Sequence, residues 1–204
     1  MNLYLKIKKN GFFVDVGAND GIIFSNTLFF EKNLDWTGIC VEPLKSKYDQ
    51  LMINRKSINI NCAIDEIEGS TKFFSNAGHT ELLSGIVKYY DPRHHNRKEK
   101  EIKKHGESSN IIDIETLRLE TIFDKYNVKK INYLSIDVEG AEFSVIKSIN
   151  FDKVFIDIIN FENNYADVSE PIIKYLEEKN YVVIKNSSDI FMINKKSEYT
   201  KNLS

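Results

Sequence analysis

Short apolar runs alternate along the chain with longer segments of mixed polarity. Phe12 to Val16, Gly38 to Val41, Ile58 to Cys62, Ile131 to Ile136 and Val154 to Phe161 are nearly continuous in apolar side chains, as strands buried on both faces must be. Between them, Thr27 to Asn33, Lys45 to Asn54, Ala141 to Ser148 and Ser169 to Lys179 carry helical spacing, with Ser169 as an N-cap and Pro171 in the first turn. Strand and helix in alternation predict a mainly parallel sheet with helices on both faces. The ending differs: Tyr181 to Lys185 and Ile190 to Asn194 flank the polar turn Asn186-Ser-Ser-Asp189, which predicts a β-hairpin and one antiparallel strand.

One stretch breaks the alternation. Residues 76–110 hold Gly78, Gly85, Pro92, Gly106, the histidines His79, His94, His95 and His105, and a dense charge run, with no clear strand. A long irregular segment in a compact domain is either functional or disordered, and this one is expected to form a lid on the substrate side. Residues 195–204 are polar and are expected to fray.

Composition narrows the class. The 204 residues suit a single domain able to bury a real core. Hydrophobic residues at 42% and charged residues at 28% are globular values, and a net charge of -2 leaves no footprint for nucleic acid. Cys40 and Cys62 lie in apolar runs, which suits reduced thiols in a cytoplasmic protein rather than a disulfide framework. Met1 to Asn10 lacks the apolar region of a signal peptide, and no uncharged apolar stretch approaches the roughly 18 residues of a membrane span. The first strand begins at residue 12, leaving little room for an N-terminal lid.

The chemistry concentrates at strand ends. In Asp15-Val-Gly-Ala-Asn-Asp-Gly21 the glycines give a ligand room to approach the backbone, and the next helix offers free N–H donors. The spacing is Gly-x-x-x-Gly rather than the Gly-x-Gly-x-x-Gly of dinucleotide folds, and Asp15 would face an ammonium rather than a pyrophosphate. Glu42-Pro43 ends the second strand, where a carboxylate can accept both hydroxyls of a ribose. NAD also presents a ribose, so Glu42 alone marks a nucleoside and no particular cofactor.

Asp137 ends the fourth strand, on the edge where open α/β sheets bind ligands, and Glu162, Asn163 and Asn164 end the fifth beside it. Asp137, Glu162 and Asn163 offer oxygen ligands for Mg2+ or Mn2+, which would lower the pKa of a substrate hydroxyl. In the competing reading Asp137 hydrogen-bonds cofactor or substrate directly. A base is drawn from His94 or His95, which titrate near neutrality unless they are plain solvated surface. Glu139 is the other candidate base, its alternative being a cap on the next helix. The stretch Tyr89-Tyr-Asp-Pro-Arg93 either stacks on a ring or pins its loop, and Trp36 reads as packing.

Three blocks in order, Phe12-Phe-Val-Asp-Val-Gly-Ala-Asn-Asp-Gly21, Val41-Glu-Pro43 and Ile136-Asp-Val-Glu-Gly-Ala-Glu142, resemble the FkbM family of methyltransferases. The resemblance runs from about Gly11 to Glu162, and Ser25-Asn-Thr-Leu28, Leu34-Asp-Trp-Thr-Gly38 and Asn54-Arg55 resemble one subset of that family. It implies a class I, Rossmann-like sheet of seven strands, six parallel and one antiparallel. It implies S-adenosyl-L-methionine as cofactor and transfer of its methyl group to a hydroxyl of a small molecule, sugar or glycan. By that resemblance Asp15, Gly17, Asn19 and Gly21 would line the methionine moiety, Glu42 would hold the ribose, and Cys62, Ala63 and Ile64 would flank the adenine. Ala18, Ser25 and Pro43 complete the expected cofactor set, and Asp137 closes the site. Ala63-Ile64-Asp65 departs mildly from the family's usual block after the third strand. Two rival readings are a non-catalytic sorting or interaction module and an NAD- or nucleotide-sugar-binding enzyme, the latter disfavoured by the absent Gly-x-Gly.

Overall fold

The computed structural model describes residues 8–202. Residues 1–7, most of the segment read for a signal peptide, lie outside the described residues, as do residues 203–204 and the side chains of His79 and Asn202. The main sheet contains β1 (Phe12–Val16), β2 (Thr37–Val41), β3 (Ile58–Ile60), β8 (Lys130–Ile136), β9 (Phe155–Glu162), β10 (Tyr181–Asn186) and β11 (Asp189–Asn194). Their order is β10-β11-β9-β8-β1-β2-β3. β11 runs antiparallel to both β9 and β10, and the remaining neighbours pair in parallel.

Each central strand feeds two cores, which is why its sequence is apolar throughout. Val14, Val16, Ile39, Val41, Leu134 and Ile136 face α4 (Leu119–Lys125), α5 (Glu142–Lys147) and α6 (Ala166–Glu178). The alternate positions Phe13, Cys40, Tyr133 and Ile158 pack on Phe30 of α1 (Leu28–Leu34), Leu51 of α2 (Lys45–Asn54) and Trp36. This second face has fewer helices, and the carboxyl-terminal segment covers the remainder. Tyr199 is buried there, within a 3-10 turn at Glu198–Asn202, and the Ser197 hydroxyl donates to the buried Asp157. The fraying expected of 195–204 is therefore corrected as far as residue 202. Both cysteines are buried free thiols.

A second sheet covers the strand tips. It joins β4 (Ala63–Ile64), β7 (Ser109–Leu117), β5 (Gly69–Asn76) and β6 (Gly85–Ile86) in the order β4-β7-β5-β6. Helix α3 (Pro92–His105) follows β6. Residues 76–110 are thus ordered, against the expectation of an irregular lid. The Asp91 carboxylate accepts from Arg93 N at 2.7 Å, Pro92 occupies the first turn, and Gly106 closes the helix at φ 66°. α3 lacks an apolar stripe because its buried positions are His94 and Lys98, the latter with its ammonium 3.5 Å from the Phe74 ring centre.

α6 also starts earlier than expected, at Ala166. Ser169 is buried in its second turn, donating to Asn163 Oδ1 at 2.7 Å and to Tyr165 O at 3.2 Å, so its hydroxyl bonds backward and does not cap. Cys62 lies between β3 and β4, not in a strand. Among the described residues no helix is long and apolar enough to cross a membrane.

Candidate functional site

The parallel strands β2, β1, β8 and β9 end side by side, and their loops build the site. Gly17 N and Ala18 N both donate to Val41 O at 3.0 Å, folding the turn over the β2 tip. A Cβ on Gly17 would lie 1.8 Å from the Asp137 carbonyl oxygen, and its φ is +86°. Only glycine lets the β1 and β8 tips meet this closely.

Glu42 is held on both sides: Asn19 N donates to Oε2 at 2.9 Å and Leu44 N to Oε1 at 2.8 Å. Burial pushes its carboxyl up to about 7, against the pull of those two N–H groups. Each oxygen keeps a lone pair for a ligand. Asn19 adopts a left-handed conformation, φ 51°, and its buried Oδ1 has no hydrogen-bond partner. Asp15 is buried, takes the Thr27 hydroxyl at 2.6 Å, and is raised above the usual carboxylate range mainly by burial.

Arg55 organises the loop between these strands. Its buried guanidinium donates to Glu31 Oε2 at 2.9 Å, Gly21 O at 3.2 Å, Ser25 Oγ at 3.1 Å and Thr27 Oγ1 at 2.9 Å. Asn54 Nδ2 adds a bond to Asp20 O at 2.8 Å. The Asn54-Arg55 pair is therefore the clamp that α2 places on the turn.

These elements enclose a cavity of about 270 Å³. Asp15, Gly17, Ala18, Asn19, Ser25, Glu42, Pro43, Cys62, Ala63 and Asp137 all line it. Gly21 does not: a Cβ there would meet Arg55 Cγ at 2.5 Å and Leu51 Cδ1 at 2.7 Å, so its missing side chain makes room for α2. Phe73 and Ile86 of the second sheet, Leu83 from the 3-10 turn Gly78–Leu83 between β5 and β6, and Arg97 of α3 complete the wall. The sequence carried no local signal for those four.

A smaller cavity, about 100 Å³, lies between the first turn of α3 and α6 and shares Glu139 and Glu162 with the first. One carboxylate oxygen each from Asp137, Glu139 and Glu162 lies within 4.8 Å of the others. Asn163 is bonded elsewhere: its amide nitrogen donates to Asn186 Oδ1 and Ser187 O at 3.0 Å each, and its oxygen accepts from Ser169, so the side chain ties the hairpin to α6. The expected Asp137, Glu162 and Asn163 donor set thus loses Asn163.

The capping role considered for Glu139 belongs to Glu142, whose Oε1 accepts from Gly140 N at 3.0 Å. Glu139 instead faces the cavities from a left-handed backbone at φ 56°, a strain that persists only where surrounding structure enforces it. His94 and His95 separate. His94 is buried, with Nε2 2.8 Å from Glu139 Oε2, whereas His95 is half exposed and 4.0 Å from Glu99. Close as they are, His94 Nε2 and Glu139 Oε2 are not aligned as a hydrogen bond, and both atoms are buried without a partner. The aromatics of residues 89–93 chiefly pin the cover: Tyr89 donates to Asp65 Oδ1 at 2.8 Å, Tyr90 donates to Leu83 O, and Arg93 stacks 3.8 Å from the Tyr165 ring centre.

Asp137 opens onto the water of the cleft yet is surrounded by protein atoms and by Glu139, Glu162, Glu142 and Asp15. Burial and then these carboxylates hold it well above the usual range. Burial raises Glu139 to about 8 and Glu162 to about 7, and it lowers His94. The raised carboxyls make the native state bind more protons than the unfolded chain, from about pH 4.5 to about 8. Stability is therefore fully present below that window and lost as pH rises through it, while His94 opposes the trend only below about pH 6.5. The melting temperature of the ligand-free protein should fall between about pH 5 and about pH 8; a flat or rising curve would contradict this charge assignment.

The sequence profile of the family described as "Methyltransferase FkbM domain" matches residues 15–183. No curated protein sequence matches the chain. Among solved structures, the methyltransferase FkbM from Methylobacillus flagellatus KT is similar at 13% identity with a TM-score of 0.55, covering 93% of this chain and 44% of that one. The chain thus spans less than half the length of that protein. The precorrin-6y C5,15-methyltransferase from Geobacter metallireducens GS-15 matches at 9% identity with a TM-score of 0.46, covering 93% of this chain and 82% of the other. At 13% identity the first likeness is one of fold.

Proposed function

The chain belongs to the FkbM methyltransferase domain family, and we propose on that premise that it is an S-adenosyl-L-methionine-dependent O-methyltransferase acting on a small-molecule, sugar or glycan hydroxyl. The observation that carries the cofactor assignment is the charge of the larger cavity. Asp15, Glu42, Asp137, Glu139 and Glu162 line it, against two cations: Lys47, already paired with Glu81 at 2.8 Å, and Arg97 of α3. Such a carboxyl-rich wall suits a cofactor bearing a sulfonium and an ammonium against one carboxylate, whose positive charge favours ionising the carboxyls that burial holds up, and it offers the pyrophosphate of NAD little counter-charge beyond Arg97. The main sheet, with its single antiparallel strand, also suits the class I arrangement.

The residues fit the cofactor part by part. The unpartnered Asn19 Oδ1 and the buried Asp15 offer acceptors to the ammonium end, the Gly17 turn gives it space, and Ala18 and Ser25 complete that wall. Glu42 presents its free lone pairs to ribose hydroxyls, with Pro43 beside it, and Cys62, Ala63 and Ile64 form the apolar adenine wall. When bound, the cofactor supplies an electrophilic methyl group. The chain itself positions the acceptor and takes up a proton, and proximity contributes much of the acceleration. The donor set expected for Mg2+ or Mn2+ on Asp137, Glu162 and Asn163 does not form, because Asn163 is committed to the hairpin; the oxygens that converge are those of Asp137, Glu139 and Glu162, and no step is derived through a metal.

Calorimetry tests the reading. S-adenosylhomocysteine should bind at micromolar concentration, Glu42→Ala should weaken it at least about tenfold through the lost ribose bonds, and NAD should give no heat. No binding of S-adenosylhomocysteine would favour the sorting or interaction module. NAD binding in its place would favour the nucleotide-dependent enzyme.

A further inference from the structure

The smaller cavity has no part in holding the cofactor, yet it meets the cofactor cavity at Glu139 and Glu162. Its floor is the apolar pair Val168 and Ile172 of α6, and its sides are polar: Asp91, Asn164 and Tyr165. Its lining includes no lysine or arginine. Arg93 stands nearby, but its guanidinium is bonded to Asp91 at 2.8 Å and to Asp167 at 3.0 Å while stacking on Tyr165. The acidic groups that face the cavity are Asp91, paired with Arg93, and the carboxyls of Glu139, Glu142 and Glu162, which burial raises, so the lining holds no cation to receive an anionic ligand.

At the junction of the two cavities lie the unpartnered His94 Nε2 and Glu139 Oε2, 2.8 Å apart. The two face each other without an aligned hydrogen bond, so each buried atom keeps bonding capacity that a ligand beside the pair can complete. A hydroxyl is suited to do so, since it can donate one bond and accept another.

We propose that the smaller cavity is the acceptor subsite, that His94 paired with Glu139 takes the proton of the reacting hydroxyl, and that a wall of acidic side chains with no cation admits neutral hydroxylated rings and disfavours anionic ones. This inference rests on the methyltransferase reading. As the acceptor O–H breaks, its electron pair stays on oxygen and forms the new bond to the methyl carbon, while sulfur keeps the pair of the bond it loses. The proton goes to His94 and later returns to water. Glu139 stabilises the imidazolium, Arg97 on the same helix opposes it, and Asp91, Glu142 and Glu162 face it from the other sides. Glu139 touches the base and not the acceptor carbon, so its part is to position and stabilise His94.

The test uses protein saturated with S-adenosylhomocysteine and two probes, methyl galactoside and galacturonic acid. Saturation-transfer NMR should show the neutral ring bound and the acid at least about tenfold weaker, as expected for an unpaired like charge. Val168→Trp, which fills the floor of this cavity alone, should abolish the ring signal while leaving S-adenosylhomocysteine affinity unchanged. The ring should also shift the His94 imidazole resonances. In turnover, His94→Gln should lower kcat by about 100-fold or more with little change in KM, and it should remove the acid limb of the pH profile. Equal binding of the acid, full binding by Val168→Trp, full turnover by His94→Gln, or no ring binding to the loaded protein would each overturn the proposal. So would a shift of the His94 resonances on adding Mg2+ or Mn2+, since a cation would then occupy the junction. Failure to bind S-adenosylhomocysteine sinks the methyltransferase reading instead, so the two failures are separable.

Discussion

Gly17→Ala is expected to abolish S-adenosylhomocysteine binding and to destabilise the protein by about 3–5 kcal/mol, the sum of a left-handed backbone forced on alanine and an overpacked contact. The added carbon would sit 1.8 Å from the Asp137 carbonyl oxygen. Neither strand can retreat, because Asp137 N donates to Val16 O at 2.9 Å and the β1–β8 register continues from Val16–Ile136 inward. Parting the tips would also displace Asn19 from Glu42, whose bond at 2.9 Å shapes the ribose site. Gly69→Ala is the control: its φ of +136° also strains alanine, but nothing lies within 4 Å of the added carbon, so it should cost about 1–3 kcal/mol from backbone strain alone and leave binding intact. Denaturant unfolding and calorimetry on both variants decide the matter; near-native stability and affinity in Gly17→Ala would refute the close-contact account.

The same contact explains why the first half of the site was legible in the sequence. A turn that brings two strand tips together, presents N–H groups and keeps an acid at its base demands particular residue types at fixed spacing, and Asp15, Gly17, Asn19, Glu42 and Asp137 met that demand. The strands they cap were equally visible, because Val14 and Phe13 face different cores and leave no polar position between them. The second sheet hid because only part of it is buried. β5 contributes Phe73 to the core, while Ile111 and Ile112 of β7 face solvent, so apolar periodicity is diluted. α3 hid for a related reason, its inward side being histidine and lysine.

One site assignment failed, and one pairing stayed hidden, on geometry that sequence spacing does not encode. Glu162 ends β9 facing the cavities, and Asn163, one residue on, turns the other way to donate to the hairpin, as alternation along a strand requires. The meeting of His94 and Glu139 spans 45 positions in the chain and depends on how α3 docks. Each residue could be named as a candidate base; that they form one pair could not.

Arg55→Ala is expected to be the most damaging substitution outside the cavity lining, costing about 3–5 kcal/mol, the usual range when one partner of a buried ion pair is removed. The Arg55 side chain has no exposed surface and Glu31 only 11%, so the carboxylate left behind would have little water to replace the lost guanidinium. Function should suffer with stability. Arg55 fixes Ser25 and the Thr27 hydroxyl, and Thr27 in turn donates to Asp15, so the clamp reaches the ammonium end of the cofactor site in two steps. S-adenosylhomocysteine affinity should fall at least about tenfold even where the variant remains folded, the loss expected when a charged hydrogen-bond network is broken. Arg55→Lys should rescue little, because one ammonium cannot span the Glu31, Gly21, Ser25 and Thr27 oxygens that the planar guanidinium reaches together. A double-mutant cycle with Glu31→Gln should return a coupling of about 1–3 kcal/mol. If Arg55→Ala unfolds within about 1 kcal/mol of the native protein and binds S-adenosylhomocysteine normally, the turn is held by its own backbone bonds, and α2 contributes packing without a clamp.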